Sequence, residues 1–164
     1  MFCSVKQRRQ HTAPTRSKAQ RGNALIEFAL GFTVLWFLFT GVYQYGYSFY
    51  VYNLLLTSVT NAAELGSRIN YDTGNTNTFT TAVQNMVLYG DESQGSSPVV
   101  SGLAANQVNV TVTTDANSMP AYVTVSIGST DNPYTINALF GNISLKGKPR
   151  ATMKYVGQAI CSTC

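Results

Sequence analysis

A chain of 164 residues has room for one domain, with a modest core if part of it lies elsewhere. Its formal charge of +4 is unevenly placed, because Lys6, Arg8, Arg9, Arg16, Lys18 and Arg21 are six of the eleven cations and residues 1–22 hold no acid. From Asn23 onward five cations (Arg68, Lys146, Lys148, Arg150 and Lys154) face seven acids, a net charge of −2, so a generally basic surface on the body of the protein is excluded.

The basic arm serves either nucleic acid or the cytoplasmic end of a membrane segment, since Lys/Arg-rich flanks stay inside. The adjoining segment decides between them. From Phe28 to Ala63 there is no charged side chain, and "FALGFTVLWFLFTGV" is broken only by Gly and Thr. About 20 mostly apolar residues cross the hydrocarbon core as a helix, so residues 26–46 suffice. Tyrosines 43, 45, 47, 50 and 52 come next, as expected of an aromatic belt at the far interface. Arm, apolar run and belt come in the order of a single-pass anchor with its N-terminus inside, which sets aside the buried helix of a soluble protein. A cleaved secretory signal has a shorter apolar region and small residues at its cut site. Here "FLFTGVYQYGYS" is long and aromatic, and no cysteine stands close enough for a lipoprotein. The lipid bilayer is thus one expected partner.

One carboxylate, Glu27, stands at the mouth of this segment. At the bilayer centre an acid costs roughly 2.5–3.5 kcal/mol and is usually functional. In the first turns of a helix at the interface it is instead favoured by the dipole. Glu27 has company: Gly22 lies five positions before it and Phe28 directly after it. The stretch "RGNALIEF" resembles the leader site of type IV pilin-like proteins of the tight-adherence (Flp) branch, and the run from Arg21 to about Arg68 resembles the TadE-like pseudopilins. The resemblance implies a prepilin peptidase that cuts after Gly22 on the cytoplasmic side, leaving Asn23 as the new terminus with Glu27 fifth and Phe28 sixth. It implies as partners other pilins or pseudopilins and inner-membrane pilus assembly proteins. In related pilins the peptidase also N-methylates the new terminus, usually a Phe; here it would be Asn23. Cleavage would place an ammonium on Asn23 about 6 Å along the axis from Glu27, one helical turn away. In an apolar phase, a subunit out of axial register would strand one of these charges, at roughly 3–5 kcal/mol. Glu27 then works as a register pin for assembly.

The helix is expected to run to about residue 69, since no proline occurs between Pro14 and Pro98. Val51, Leu55, Ser58, Ala62, Leu65 and Ile69 mark one face, and Ser58, Ala62, Ala63 and Gly66 let another element come close. Gly41, Gly46 and Gly66 are possible bends. "NYDTGNTN" reads as a turn-rich loop. "TFTTAVQNMVLYG" places Phe79, Ala82, Val83, Met86 and Val87 at helical spacing with Gly90 as the stop. Asp91 and Glu92 sit in a polar loop, solvated rather than metal-binding. "QVNVTVTT" and "AYVTVSIG" alternate as strands, with Val108, Val110 and Val112 on one face of the first and Tyr122 or Val123, Val125 and Ile127 on one face of the second. "YTINALFG" is expected to be a short helix, and "NISLKG" and "RATMKYVGQ" two more strands split by the Gly147–Pro149 turn. These tail segments come in the order of the strand-rich tail of the resembled family. The fold expected is α+β: a long N-terminal helix, its inner half transmembrane, packed by its outer half on a small antiparallel sheet. Residues 1–22 form a basic cytoplasmic leader, 23–69 the membrane and spine helix, and 70–164 a periplasmic α+β domain.

With Cys3 in the leader, Cys161 and Cys164 remain, in "CSTC". On an oxidising side two thiols pair, so a terminal disulfide is the reading adopted. A C-x-x-C is also a redox pair or half a zinc site, but there is no second ligand pair. The single histidine, His11, lies in the arm, so Ser–His and Cys–His nucleophiles have no base in the processed chain. No Gly-rich phosphate loop, HExxH or EF-hand loop occurs. No enzyme, cofactor or metal is expected. The leading function is a pseudopilin-like structural protein; a major pilin is disfavoured, because majors of this branch are very short. The alternative is a permanently anchored periplasmic binding or adhesion module whose arm is never removed. A nucleic-acid binder would need residues 1–21 to survive.

Overall fold

The computed structural model describes residues 18–116, 119–138 and 141–160. It divides into a first unit ending at Gly41 and a second beginning at Val42. One helix, α1 (Lys18–Arg68, 51 residues), is all that is described of the first unit and opens the second. It starts earlier than Asn23, the expected first residue, because Lys18, Ala19, Gln20 and Arg21 are all good helix formers. It passes through Gly41, Gly46 and Gly66 without interruption.

In the second unit the remaining elements are β1 (Tyr71–Asp72), α2 (Thr76–Tyr89), a 3₁₀ turn (Ala105–Gln107), β2 (Val108–Thr114), β3 (Pro120–Ile127), β4 (Tyr134–Ala138), β5 (Gly141–Leu145), β6 (Arg150–Lys154) and β7 (Ala159–Ile160). Of the expected spine face, Val51, Leu55, Ser58 and Ala62 are buried and Leu65 and Ile69 half-buried; Val59 and Ala63 of α1 join the same core. The small residues do what their size permits. A Cβ on Gly66 would lie 3.1 Å from side-chain carbons of both Val123 and Val83, so the helix backbone approaches β3 and α2 as closely as a hydrogen in place of a methyl allows. From α2 the core takes Phe79, Val83, Val87 and Leu88. The helix stops where the sequence puts glycine: Gly90 has φ 74° and donates its N–H to the Met86 carbonyl at 3.0 Å, a conformation that disfavours any Cβ.

The alternating strands pair antiparallel as expected. Val108, Val110 and Val112 stand opposite Ile127, Val125 and Val123, so both apolar faces turn to the same core. Val123 is buried and Tyr122 exposed, which settles the inward residue. On the other face Thr124 and Thr152 sit opposite each other with hydroxyls 3.0 Å apart. β6 completes this three-stranded sheet in the order β2-β3-β6.

Two local expectations fail, within the expected α+β architecture. "YTINA" is not helical but β4, paired antiparallel with β5 through Tyr134–Leu145 and Ile136–Ile143. Its residues alternate inward and outward, with Tyr134 and Ile136 buried, and its β-branched Thr and Ile suit that pleat; a five-residue helix would have buried one of the two at most. Besides the expected small antiparallel sheet, two two-stranded ladders form, β4-β5 and β1-β7. The loop at 70–77 contributes β1, which pairs parallel with β7.

That parallel pair belongs to a clasp on the end of α1. The Ser67 carbonyl accepts the N–H groups of Val156 and Gly157 at 2.8 and 2.9 Å. The Tyr155 hydroxyl accepts the Tyr71 N–H at 3.0 Å and lies 2.9 and 2.8 Å from the carbonyls of Ile69 and Gln158, to either of which it donates. A Cβ on Gly157 would come within 2.8 Å of the carbonyl oxygens of Ile69 and Arg68, so only glycine fits. Carbonyls left over at a helix end need partners, and here the last described stretch of the chain supplies them.

Candidate functional site

The residues singled out for processing and assembly, Gly22, Asn23, Glu27 and Phe28, all lie on α1 in the first unit. They are exposed. A Cβ on Gly22 would meet nothing within 4 Å; the backbone on either side of it is helical. Asn23 and Glu27 are four residues apart on this helix, hence on one face. Gly31, Val34, Leu38 and Gly41 continue that face by the same spacing.

A second face is aromatic. Phe28 and Phe32 have ring centroids 6.2 Å apart at 22°, and Phe32 and Trp36 repeat this at 6.2 Å and 27°. The ladder is missing from the sequence expectations, although its signal, three aromatics at intervals of four, was there to count. It gives Phe28 a structural role beyond marking a motif: it is the first rung.

The rest of this stretch has no polar group left to satisfy in an apolar medium. Thr33 donates to the Ala29 carbonyl and Thr40 to the Trp36 carbonyl, both at 2.7 Å. A hydroxyl spent on the preceding turn can enter hydrocarbon without an orphan donor. Against that background Phe28, 72% exposed, and its neighbours Leu25, Ile26 and Leu30 present bare hydrocarbon all round. A helix apolar on every side is a buried or membrane-spanning one, and α1 from Gly22 to Arg68 is long and apolar enough to cross a bilayer. Glu27 is the one charged side chain between Gly22 and Ala63.

Elsewhere the candidates are structural. Asp91 accepts the Ser93 N–H at 2.8 Å and its hydroxyl at 2.6 Å. These bonds hold its carboxyl below the usual aspartate range. It therefore closes its own loop. Among the described residues no group of three His, Cys, Asp or Glu is placed to hold a metal. Burial pushes the hydroxyl pKa of Tyr134 up, with a further contribution from Tyr47; burial likewise raises that of Tyr155. Both hydroxyls are hydrogen-bonded within the fold, Tyr134 donating to the Ser101 carbonyl at 3.1 Å. Cys161 and Cys164, and the arm at 1–17, lie outside the described residues.

Comparison with known families places residues 22–68 in a match to the family described as TadE-like protein. The matched stretch starts at Gly22 and ends on the last residue of α1. No curated protein and no solved structure matches the chain.

Proposed function

Taking residues 22–68 as a TadE-like segment, we propose that the protein is a pseudopilin-like structural component of a tight-adherence (Flp-type) pilus assembly system. A prepilin peptidase removes residues 1–22 on the cytoplasmic side of the inner membrane. The domain from residue 70 onward stands on the periplasmic side once the apolar helix has crossed. Other pilins or pseudopilins and the inner-membrane assembly proteins are its partners.

The observation that carries this reading is the position of Glu27, a lone carboxylate on an otherwise apolar exposed helix, five residues after Gly22 in the matched segment. An anchor alone gains nothing from that acid. An assembling subunit does, because removing the leader creates an ammonium on Asn23 within reach of Glu27 in the same helix or in a neighbour. In a lipid or protein interior the pair is stable only when both charges are matched, and one left alone costs roughly 3–5 kcal/mol. Register between subunits is then set by charge matching along the axis. The aromatic ladder and the apolar Glu27 face leave the helix free to contact lipid and other helices around its whole circumference.

N-terminal sequencing of protein extracted from the native membrane tests the proposal. A mature start at Asn23 is expected. An intact Met1 overturns it and leaves the permanently anchored module; survival of the arm would also reopen nucleic-acid binding.

A further inference from the structure

In the second unit a groove of about 360 Å³ is lined by Tyr45, Ser48, Phe49 and Tyr52 of α1 and by Ile136, Ile143 and Leu145 of β4 and β5. The lining is apolar in effect, because the Ser48 hydroxyl is spent on the Gln44 carbonyl at 2.9 Å. Apart from the hydroxyls of Tyr45 and Tyr52, the groove therefore offers its occupant hydrocarbon. The helical wall belongs to the aromatic belt, with Tyr43, Tyr47 and Tyr50 exposed beside it, and tyrosines gather where a membrane meets water.

Charge narrows the occupant. After Asp131 the chain contains no acid. Two of the five cations beyond Asn23, Lys146 and Lys148, come directly after the groove-lining Leu145, and both are exposed. Apolar groove and cationic turn together match a molecule that is hydrocarbon at one end and anionic at the other. Size argues against a neighbouring helix, since a rod about 10 Å across would fill 360 Å³ with less than one turn of its length. An acyl chain is thin enough.

We propose that the groove between α1 and the β4–β5 hairpin holds an acyl chain of an anionic membrane phospholipid, whose phosphate is met by Lys146 and Lys148. The hairpin thereby docks on the membrane surface and fixes how the tail sits on it. This needs the membrane anchor but not leader cleavage or pilus assembly, so an uncut chain would show it equally.

The test uses the full chain carrying Trp36→Phe, which removes its only tryptophan, and Ile143→Trp as a probe. It is placed in vesicles of phosphatidylcholine and phosphatidylglycerol with brominated acyl chains on one lipid at a time. Strong quenching is expected from brominated phosphatidylglycerol and weaker quenching from brominated phosphatidylcholine. No quenching, or equal quenching by both, overturns the proposal. So does shielding of the probe that appears only at high protein density, which would mean that a second copy fills the groove. Native mass spectrometry of the unmutated chain gives an independent reading. Phosphatidylglycerol should be retained, and its affinity should fall about fivefold for each of Lys146→Gln and Lys148→Gln; unchanged retention in both overturns the phosphate contact.

Discussion

The two halves of α1 are built from similar apolar residues and do opposite things with them. From Leu25 to Phe39 the large side chains are exposed on every face. From Val51 to Ser67 the helix is two-sided: Leu55, Val59, Ala62 and Ala63 are fully buried, while Asn61, Glu64 and Arg68 face outward. The first pattern has no inside and suits a uniformly apolar surrounding; the second has a dry face and a wet one, as a surface helix of a folded domain does. Residue size marks the change as well. The exposed half is crowded with Phe and Trp; the packed half is rich in Ala, Ser and Gly, because its neighbours come within contact of its backbone.

If this contrast is right, mutations in the two halves fail in different assays. The largest effect is expected from Glu27→Ala, which should leave the leader cleaved, as seen by N-terminal sequencing, yet abolish recovery of the protein in pilus assemblies by shear and immunoblot. Normal incorporation would remove the register role of Glu27. On the packed half, Leu55→Ala should lower the stability of the full chain in detergent by about 2–5 kcal/mol, measured by denaturant unfolding. Leu30→Ala, on the exposed half, should leave that midpoint where it was. Equal effects at the two sites would break the comparison.

Smaller effects sharpen where the packed half ends. Gly157→Ala drives a methyl onto the Ile69 and Arg68 carbonyls and should cost roughly 1–3 kcal/mol in the same unfolding assay. Tyr155→Phe, which removes a donor and an acceptor from the clasp, should cost about 1–2 kcal/mol. Burial raises the pKa of Tyr155 and Tyr134 in the folded state, so above the unfolded value near 10 the folded protein holds more protons than the unfolded one. The contribution of these two tyrosines to stability should accordingly be flat below about pH 10 and fall as pH rises past it. The fall should shrink in Tyr155→Phe and again when Tyr134→Phe is added.

Legibility in the sequence tracked how local each interaction is. The membrane-grade run, the lone Glu27 after Gly22, the α2 helix with its Gly90 stop and the Val-x-Val alternation of β2 and β3 are periodic or compositional signals that need no partner to be read. "YTINA" reads wrongly as a helix because a run of about five apolar and polar residues fits a helix or a strand equally well until its partner is known. The parallel pairing of Tyr71–Asp72 with Ala159–Ile160 joins segments at opposite ends of the tail, and no turn signal links them. The groove was invisible for the same reason: Tyr45 and Phe49 are one spacing on a helix, Ile136 and Ile143 one cross-strand pair, and nothing in the chain order says they face each other.

By itself, then, the order of residues determined which part of the protein water would reject, where the helices stop and which strand faces are apolar, because burial preference and backbone freedom belong to each residue and its near neighbours. Only the tertiary structure decided which apolar faces meet, that β4 is a strand, that two further two-stranded ladders form, and that the end of α1 is closed by residues 155–157. Those outcomes depend on contacts across the chain, whose free energy exists only once both sides are in place.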